Sequence, residues 1–356
     1  MRRYIPGNPA RAMCRHTGIQ FKRGKWMIFR GGGKMKKIGF LIFGMLFIVV
    51  APACNSDRTA TTDTQSAAGD CDRACLEQFA DRYIDALVAH DPSAVPLAED
   101  VKFTENGVEL KVGDALWATA SGKKDYRIYI TEPETAQVGY SGIIEENGKP
   151  ALISFRLKIA DGAIAEIEQI VARDDGQFNN VKNLTEPDPI YAEILKPEEQ
   201  SSREDMIATA DSYFAALERN DGTRPVNFAD TCNRQENGFQ TTNNPPAEGQ
   251  PADEFNIMAL SCKEQFKTGF FKFVTRIRRR HLVVDKERGL VFSVACLDHA
   301  GNVKEVTMTN GMTLPVTLSS PTTFLGGGCF KIKNEQIHRI YTVMITPPYG
   351  MRQGWE

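Results

Sequence analysis

A carboxylate, an amide and a glycine recur in the same order at two places, Glu105-Asn106-Gly107 and Glu236-Asn237-Gly238. On an alternating strand Val101, Phe103 and Glu105 share one face, so Glu105 points where the apolar residues point. A carboxylate facing an apolar pocket can serve as a general base, with Asn106 or Asn237 as a nearby amide donor. The competing reading is a turn whose Glu binds backbone amides, and its presence in both copies favours that reading. Tyr83 and Tyr213 hold equal places in two helices and could offer phenol donors; as core residues they would need only a satisfied hydroxyl. Trp117 could stack on a ligand or close one end of a core. His90 and His299 each sit beside an Asp, at Asp91 and Asp298, which makes acid–base pairs or plain loop histidines.

Arg156, with Glu166 or Glu168, could line a pocket or form a surface ion pair. Arg276, Arg278, Arg279 and Arg280 form a basic run with His281, and in an acidic chain a salt-bridged face is the expected reading. The sequence holds no nucleophile elbow, P-loop or dinucleotide fingerprint. Neither CxxC nor a His-rich spacing suggests a metal site, and no cofactor is expected.

The elements that must position these residues occur twice. Residues 80–91 and 210–221 share Ala-Asp-x-Tyr at their start and Ala-Leu within, and Glu-Asn-Gly follows each at almost the same distance. Such a repeat marks a duplicated domain. Leu76, Phe79, Ala80, Tyr83, Ile84, Leu87 and Val88 recur at helical spacing, capped by Asp72; Met206, Ala210, Tyr213, Phe214 and Leu217 do the same after Ser201 or Ser202. Strands are predicted at 101–105, 126–131, 135–145, 150–160 and 163–173, with Asn106-Gly107, Asn147-Gly148 and Asp161-Gly162 as turns. In the second copy they are predicted near Cys232 and at 271–276, 281–284, 290–297, 322–332 and 337–345. Later strands align at a larger offset, with Tyr341 where the first copy has Glu168, so the second copy carries about 40 extra residues in loops. A helix followed by antiparallel strands is an α+β order, with each long helix packed in a curved sheet.

The net charge of −2 conceals an asymmetry, because every acidic residue follows position 53 while many of the basic residues precede it. An acidic body argues against nucleic acid and against an anionic membrane surface as partners. Residues 1–34 read as a leader ahead of the true start at Met35. Residues 35–53 read as a signal peptide whose apolar stretch, Ile38 to Val50, is too short to span a bilayer comfortably. Cys54 follows small residues and resembles a bacterial lipidation site; cleavage after Ala53 without lipid is the alternative. Residues 54–70 form a polar tether, 71–186 the first domain, 187–200 a Pro- and Glu-rich linker, and 201–356 the second domain. Six further cysteines in an exported chain suggest disulfides. Cys71 and Cys75 could close a small loop at a helix start, and Cys232 and Cys262 bracket a Pro- and Asn-rich insertion.

Phe103-Thr104-Glu105-Asn106-Gly107, Cys232-Asn233-Arg234-Gln235-Glu236-Asn237-Gly238 and Pro348-Tyr349-Gly350-Met351…Trp355 together carry a family resemblance. Each half resembles the nuclear-transport-factor-2-like, or SnoaL-like, fold, and the tandem form resembles a fungal and bacterial group. The resemblance spans about residues 71–356. It implies two cones, each a helix in a bent sheet around a pocket, with Tyr213, Glu236, Asn237, His299 and Tyr349 among ligand-contacting candidates. It leaves the chemistry open, since the superfamily includes dehydratases, isomerases, cyclases and binding modules. The expectation is an exported small-molecule pocket protein for a small apolar or carbonyl-containing molecule, touching membrane only through a lipid anchor. Its chemistry would be a cofactor-independent lyase, isomerase or hydratase reaction using a buried carboxylate. The alternative is a non-catalytic ligand-binding or scaffold lipoprotein of the cell envelope. If one domain is catalytic, the first is expected, because it combines Glu105, Trp117, Arg156, Glu168 and His90. Oligomeric state is left open.

Overall fold

The computed structural model describes residues 71–173, 179–245 and 256–356. The leader, signal and tether expected over residues 1–70, Cys54 included, lie outside the described residues.

The first copy starts with α1 (Arg73–Ala89), whose first turn is capped by Asp72 accepting from the Cys75 amide. The helix ends at His90, which takes the left-handed conformation and donates its backbone N–H to Ala86 and Leu87. Strands β1 (Leu97–Glu105) and β2 (Val108–Leu110) follow, then a one-turn α2 (Leu116–Thr119). The sheet is completed by β3 (Ala120–Glu132), β4 (Gln137–Glu146), β5 (Lys149–Ala160) and β6 (Ala163–Arg173). The second copy repeats the plan with α3 (Arg203–Leu217), β7 (Phe228–Glu236), β8 (Phe239–Gln240), α4 (Cys262–Lys267), β9 (Arg276–Asp285) and β10 (Leu290–His299). A small hairpin, β11 (Glu305–Thr307) with β12 (Thr313–Pro315), precedes β13 (Thr322–Lys333) and β14 (Gln336–Ile345).

The two six-stranded sheets have the same order, β2-β1-β6-β5-β4-β3 and β8-β7-β14-β13-β10-β9. This is the expected α+β tandem, with one refinement. Each sheet contains a parallel pair, β1 with β6 and β7 with β14. The first strand of each copy joins the free edge of the last without a hairpin between them, so no turn forces it antiparallel. Asn106-Gly107, Asn147-Gly148, Asp161-Gly162 and Asn237-Gly238 all have positive φ at both positions, the turn conformation these dipeptides favour. One strand prediction fails. Residues 270–273 form a short 3-10 turn, so the strand expected at 271–276 begins only at Arg276, where β9 starts and runs on through the segment expected at 281–284. Phe270, Phe271 and Phe273 pack edge-on against one another there, which suits a turn better than a pleated strand.

Alternation along the strands divides the side chains between two layers. One face of the first sheet encloses α1 with Phe103, Ile153, Phe155, Leu157 and Ile167. The other face carries Ile128, Ile130, Leu152 and Ile170, and packs against Phe292, Val294, Cys296, Leu325 and Val343 of the second sheet. The layers therefore run helix, sheet, sheet, helix.

The sheet–sheet contact is reciprocal. Arg73 at the start of α1 binds Asp285 at the end of β9 (2.6 Å), and Arg203 at the start of α3 binds Glu132 at the end of β3 (2.5 Å). Asp285 accepts from the Thr131 amide, and Glu132 accepts from the Val284 amide. The C-terminal motif spans both copies: Trp355 donates to Thr104, Gly354 accepts from Lys102, and the Met351 carbonyl accepts from Arg278. No helix among the described residues is long and apolar enough to cross a membrane. Disulfides join Cys71 to Cys75 and Cys232 to Cys262, whereas Cys296 and Cys329 are free and buried. Two disulfides fit an extracellular or envelope protein.

Candidate functional site

Equivalent positions in the two copies build opposite interiors. In the first, Tyr140 on β4 pairs with Phe155 on β5, and the rings stack at 4.7 Å. Tyr83 packs edge-on against Phe155 (5.0 Å) and Trp117 (5.4 Å), and all four rings are buried. In the second, the pair at the same place in β10 and β13 is Ser293 with Gly328. Exchanging a tyrosine and a phenylalanine for a serine and a glycine removes two rings from the layer under α3. What remains is a small cavity of about 50 Å³, lined by Tyr213, Glu236, Ser293, Ala295, Phe330 and Thr342 among others. At Gly328 a Cβ would collide with the Tyr341 carbonyl oxygen, so a side chain there would require β14 to move.

Glu105 lies inside the first domain, as the alternation predicts, but not on an open pocket. Its carboxylate accepts from the Leu116 amide (3.0 Å), Gln169 Nε2 (2.8 Å) and Arg173 (2.9 Å). Tyr83 donates to the other end of the Gln169 amide. Every polar end of this chain is occupied, which fits support of the α2 turn. Asn106 and Asn237 do the same work in each copy. Asn106 accepts from the Val171 amide and donates to its carbonyl, and Asn237 does so with Met344. Glu236 differs from Glu105: it reaches the cavity wall and pairs with Arg234 Nε at 3.2 Å.

Arg156 and Glu168 fall on the sheet face turned away from α1, because they alternate with Phe155, Leu157 and Ile167. There Arg156 meets Glu166 (2.7 Å), Glu168 and the face of Trp355, while Glu168 also binds Arg280 of the second copy. They belong to the sheet–sheet contact and not to a pocket. Trp117 is core, and its carbonyl is contacted by His90 Nδ1 (2.6 Å) at the exposed end of α1. Tyr349 is 46 % exposed and lies away from the cavity lining. His299 is buried between Phe273 and Phe324 with neither ring nitrogen hydrogen-bonded, and burial pushes its pKa down to about 4. The first domain, expected to be the catalytic one, thus has a filled interior, and the cavity lies in the second. A count of candidate side chains favours the first domain, whereas ring volume at 140 and 155 decides which interior is open.

Ser293 on the cavity wall carries no sequence signal, and His281, named in the sequence only beside the basic run, stands behind it. Ser293 Oγ lies 2.8 Å from His281 Nδ1, and His281 Nε2 lies 3.3 Å from Asp211 Oδ1. Arg279 grips Asp211 at 2.6 and 3.0 Å and holds its carboxyl below the usual range. Burial lowers the His281 pKa, with Asp211 acting in the opposite sense. On the other side of the cavity the Tyr213 hydroxyl accepts from Arg234 (3.3 Å), and burial raises the pKa of the phenol. Because a guanidinium only donates, this bond leaves the phenol proton uncommitted. Ser293 and His281 stand where the first copy has Tyr140 and Tyr129, a match that only the strand registers reveal. No group of three or more His, Cys, Asp or Glu able to hold a metal occurs among the described residues.

Among solved structures, a protein from Sphaerobacter thermophilus is 20 % identical over 27 % of this chain and 94 % of its own, with a TM-score of 0.22. AusH from Aspergillus nidulans is 15 % identical over 40 % of this chain and 86 % of its own, with a TM-score of 0.25. No curated protein matches. The sequence pattern described as a domain of unknown function, DUF8021, matches residues 70–171 and 199–344, which covers both copies, and the chain belongs to that family.

Proposed function

We propose that the protein is an exported small-molecule pocket protein in which the second domain holds the ligand and the first is its filled structural partner. The observation that carries this reading is the exchange of Tyr140 and Phe155 for Ser293 and Gly328 at matched strand positions. At about 50 Å³ the cavity is smaller than the ordinary ligand site of about 300–1,000 Å³, so it suits a molecule of only a few heavy atoms. Its walls are mostly apolar, with Ser293, Tyr213, Glu236 and Thr342 as the polar groups, which suits a small uncharged molecule carrying a carbonyl or hydroxyl. The SnoaL-like resemblance supports a cone with a pocket and is part of the same proposal. So are the domain limits at 71–186 and 201–356 and lipidation at Cys54. The carboxylate chemistry first considered at Glu105 has little support, since three donors already hold that side chain.

Native mass spectrometry of the purified chain tests the reading. A small molecule should be retained by the unmodified protein and lost from Ala295→Leu, which adds three carbons to the cavity wall. The equivalent test in the first domain is Phe155→Leu, which should leave retention unchanged. Equal retention by the unmodified protein and Ala295→Leu would show that the molecule sits elsewhere.

A further inference from the structure

We propose that Ser293, His281 and Asp211 form a nucleophilic relay, and that the second domain hydrolyses small, uncharged, mainly apolar esters. The inference rests on the cavity being a small-molecule site and adds what happens inside it.

The proton positions follow from the partners. Asp211 is held ionised by Arg279, so it can only accept, and the proton between it and His281 sits on Nε2. A neutral imidazole then presents a bare Nδ1, and Ser293 is the donor in the 2.8 Å contact. A serine hydroxyl that donates to an imidazole oriented by a carboxylate is the arrangement that activates serine in acyl transfer. Ser293 is buried on the cavity wall, where a bound ester would meet it away from bulk water. Tyr213, on the same cavity, supplies a phenol proton for the oxygen that becomes negative.

The first domain provides an internal contrast. Asp81 corresponds to Asp211, and there it accepts from the Tyr129 hydroxyl at 2.6 Å. Tyr129 pairs with Tyr140, just as His281 pairs with Ser293. The carboxylate therefore occurs in both copies, but a basic nitrogen and a small hydroxyl stand beside it only where the interior is open.

In the reaction the Ser293 Oγ–carbon bond forms as its proton moves to His281 Nδ1. The alcohol leaves with that proton, and the carbon–oxygen ester bond breaks. Water then attacks the acyl group, gives one proton to His281, and releases the acid as Ser293 recovers its proton. The overall change is ester plus water to acid plus alcohol.

Methanesulfonyl fluoride, a reagent of five heavy atoms, tests the relay, because an activated serine displaces its fluoride and keeps the sulfonyl group. Incubation of the full chain, followed by peptide mapping, should place one adduct on Ser293. Ser293→Ala should remove the adduct, and His281→Gln should slow labelling by about 100-fold or more, the lower range for loss of a general base. Far-ultraviolet circular dichroism and the melting temperature establish that each variant is folded. Retention of acetone in native mass spectrometry is measured in parallel. Acetone bound without an adduct would overturn the relay while sparing the pocket, and neither bound nor labelled would overturn both. An adduct on another residue, or equal rates with and without His281, would also overturn the relay.

Discussion

Phe155→Ala should hollow the first domain in the way that Gly328 helps to hollow the second. Phe155 is fully buried, stacked on Tyr140 and edge-on to Tyr83. Phenylalanine-to-alanine changes in packed cores cost about 3–5 kcal/mol through lost transfer energy and the cavity left behind. Two lost ring–ring contacts, each of about 0.5–1.5 kcal/mol beyond burial, place this site at the upper end of that range. Urea unfolding followed by tryptophan fluorescence should show a lower midpoint with an unchanged slope. An apolar cavity of this kind stays dry and accepts benzene. Benzene at 100 times its dissociation constant should then restore about 2.7 kcal/mol. A loss below about 1.5 kcal/mol, with no response to benzene, would mean that the first interior is not packed around Phe155, and the contrast between the copies would fail.

Glu105→Gln should lower stability by about 2–3 kcal/mol, since it disturbs three hydrogen bonds to a charged group, while Glu236→Gln should cost under about 1 kcal/mol. Equal shifts in melting temperature would remove the distinction drawn between these residues. His299 is held neutral by burial, so the unfolded chain takes up its proton first as the pH falls. Its contribution is intact above pH about 6.5 and declines towards pH 4, by about 3 kcal/mol in all; chemical unfolding at pH 7 and 4.5 should show this loss reduced in His299→Leu. Arg73→Met strands the buried Asp285 carboxylate and should cost about 3–5 kcal/mol. Adding Asp285→Leu should recover much of that, and strictly additive effects in the double-mutant cycle would refute the pairing.

The duplication, both long helices and most strands are legible in the sequence because local signals agree: helical spacing, Asn-Gly turns and alternating apolar runs. The strand predicted at 271–276 fails because three phenylalanines read as a strand until their mutual edge-on packing is seen. Whether Arg156 and Glu168 line a pocket or form an ion pair stays open in the sequence, because strand periodicity gives two faces without saying which one meets the helix. Packing of Ile128, Leu152 and Ile170 against the other copy decides that question. The cavity was the least legible feature. It depends on Ser293 standing opposite Gly328, a pairing between residues 35 positions apart that no local pattern reveals.

The paired clasp of Arg73 with Asp285 and Arg203 with Glu132 has the reciprocity of an isologous dimer, but both partners lie on one chain. In a dimer of identical subunits every inherited change appears twice, so an interior cannot be emptied on one side alone. Fusion removes that restriction while leaving the symmetric contact intact. One half can keep its aromatic stack and resist drift, while the other explores new wall residues around Ser293. The tandem arrangement thus lets one interior change without the other, and diversification within the family is expected to concentrate in residues facing the second interior.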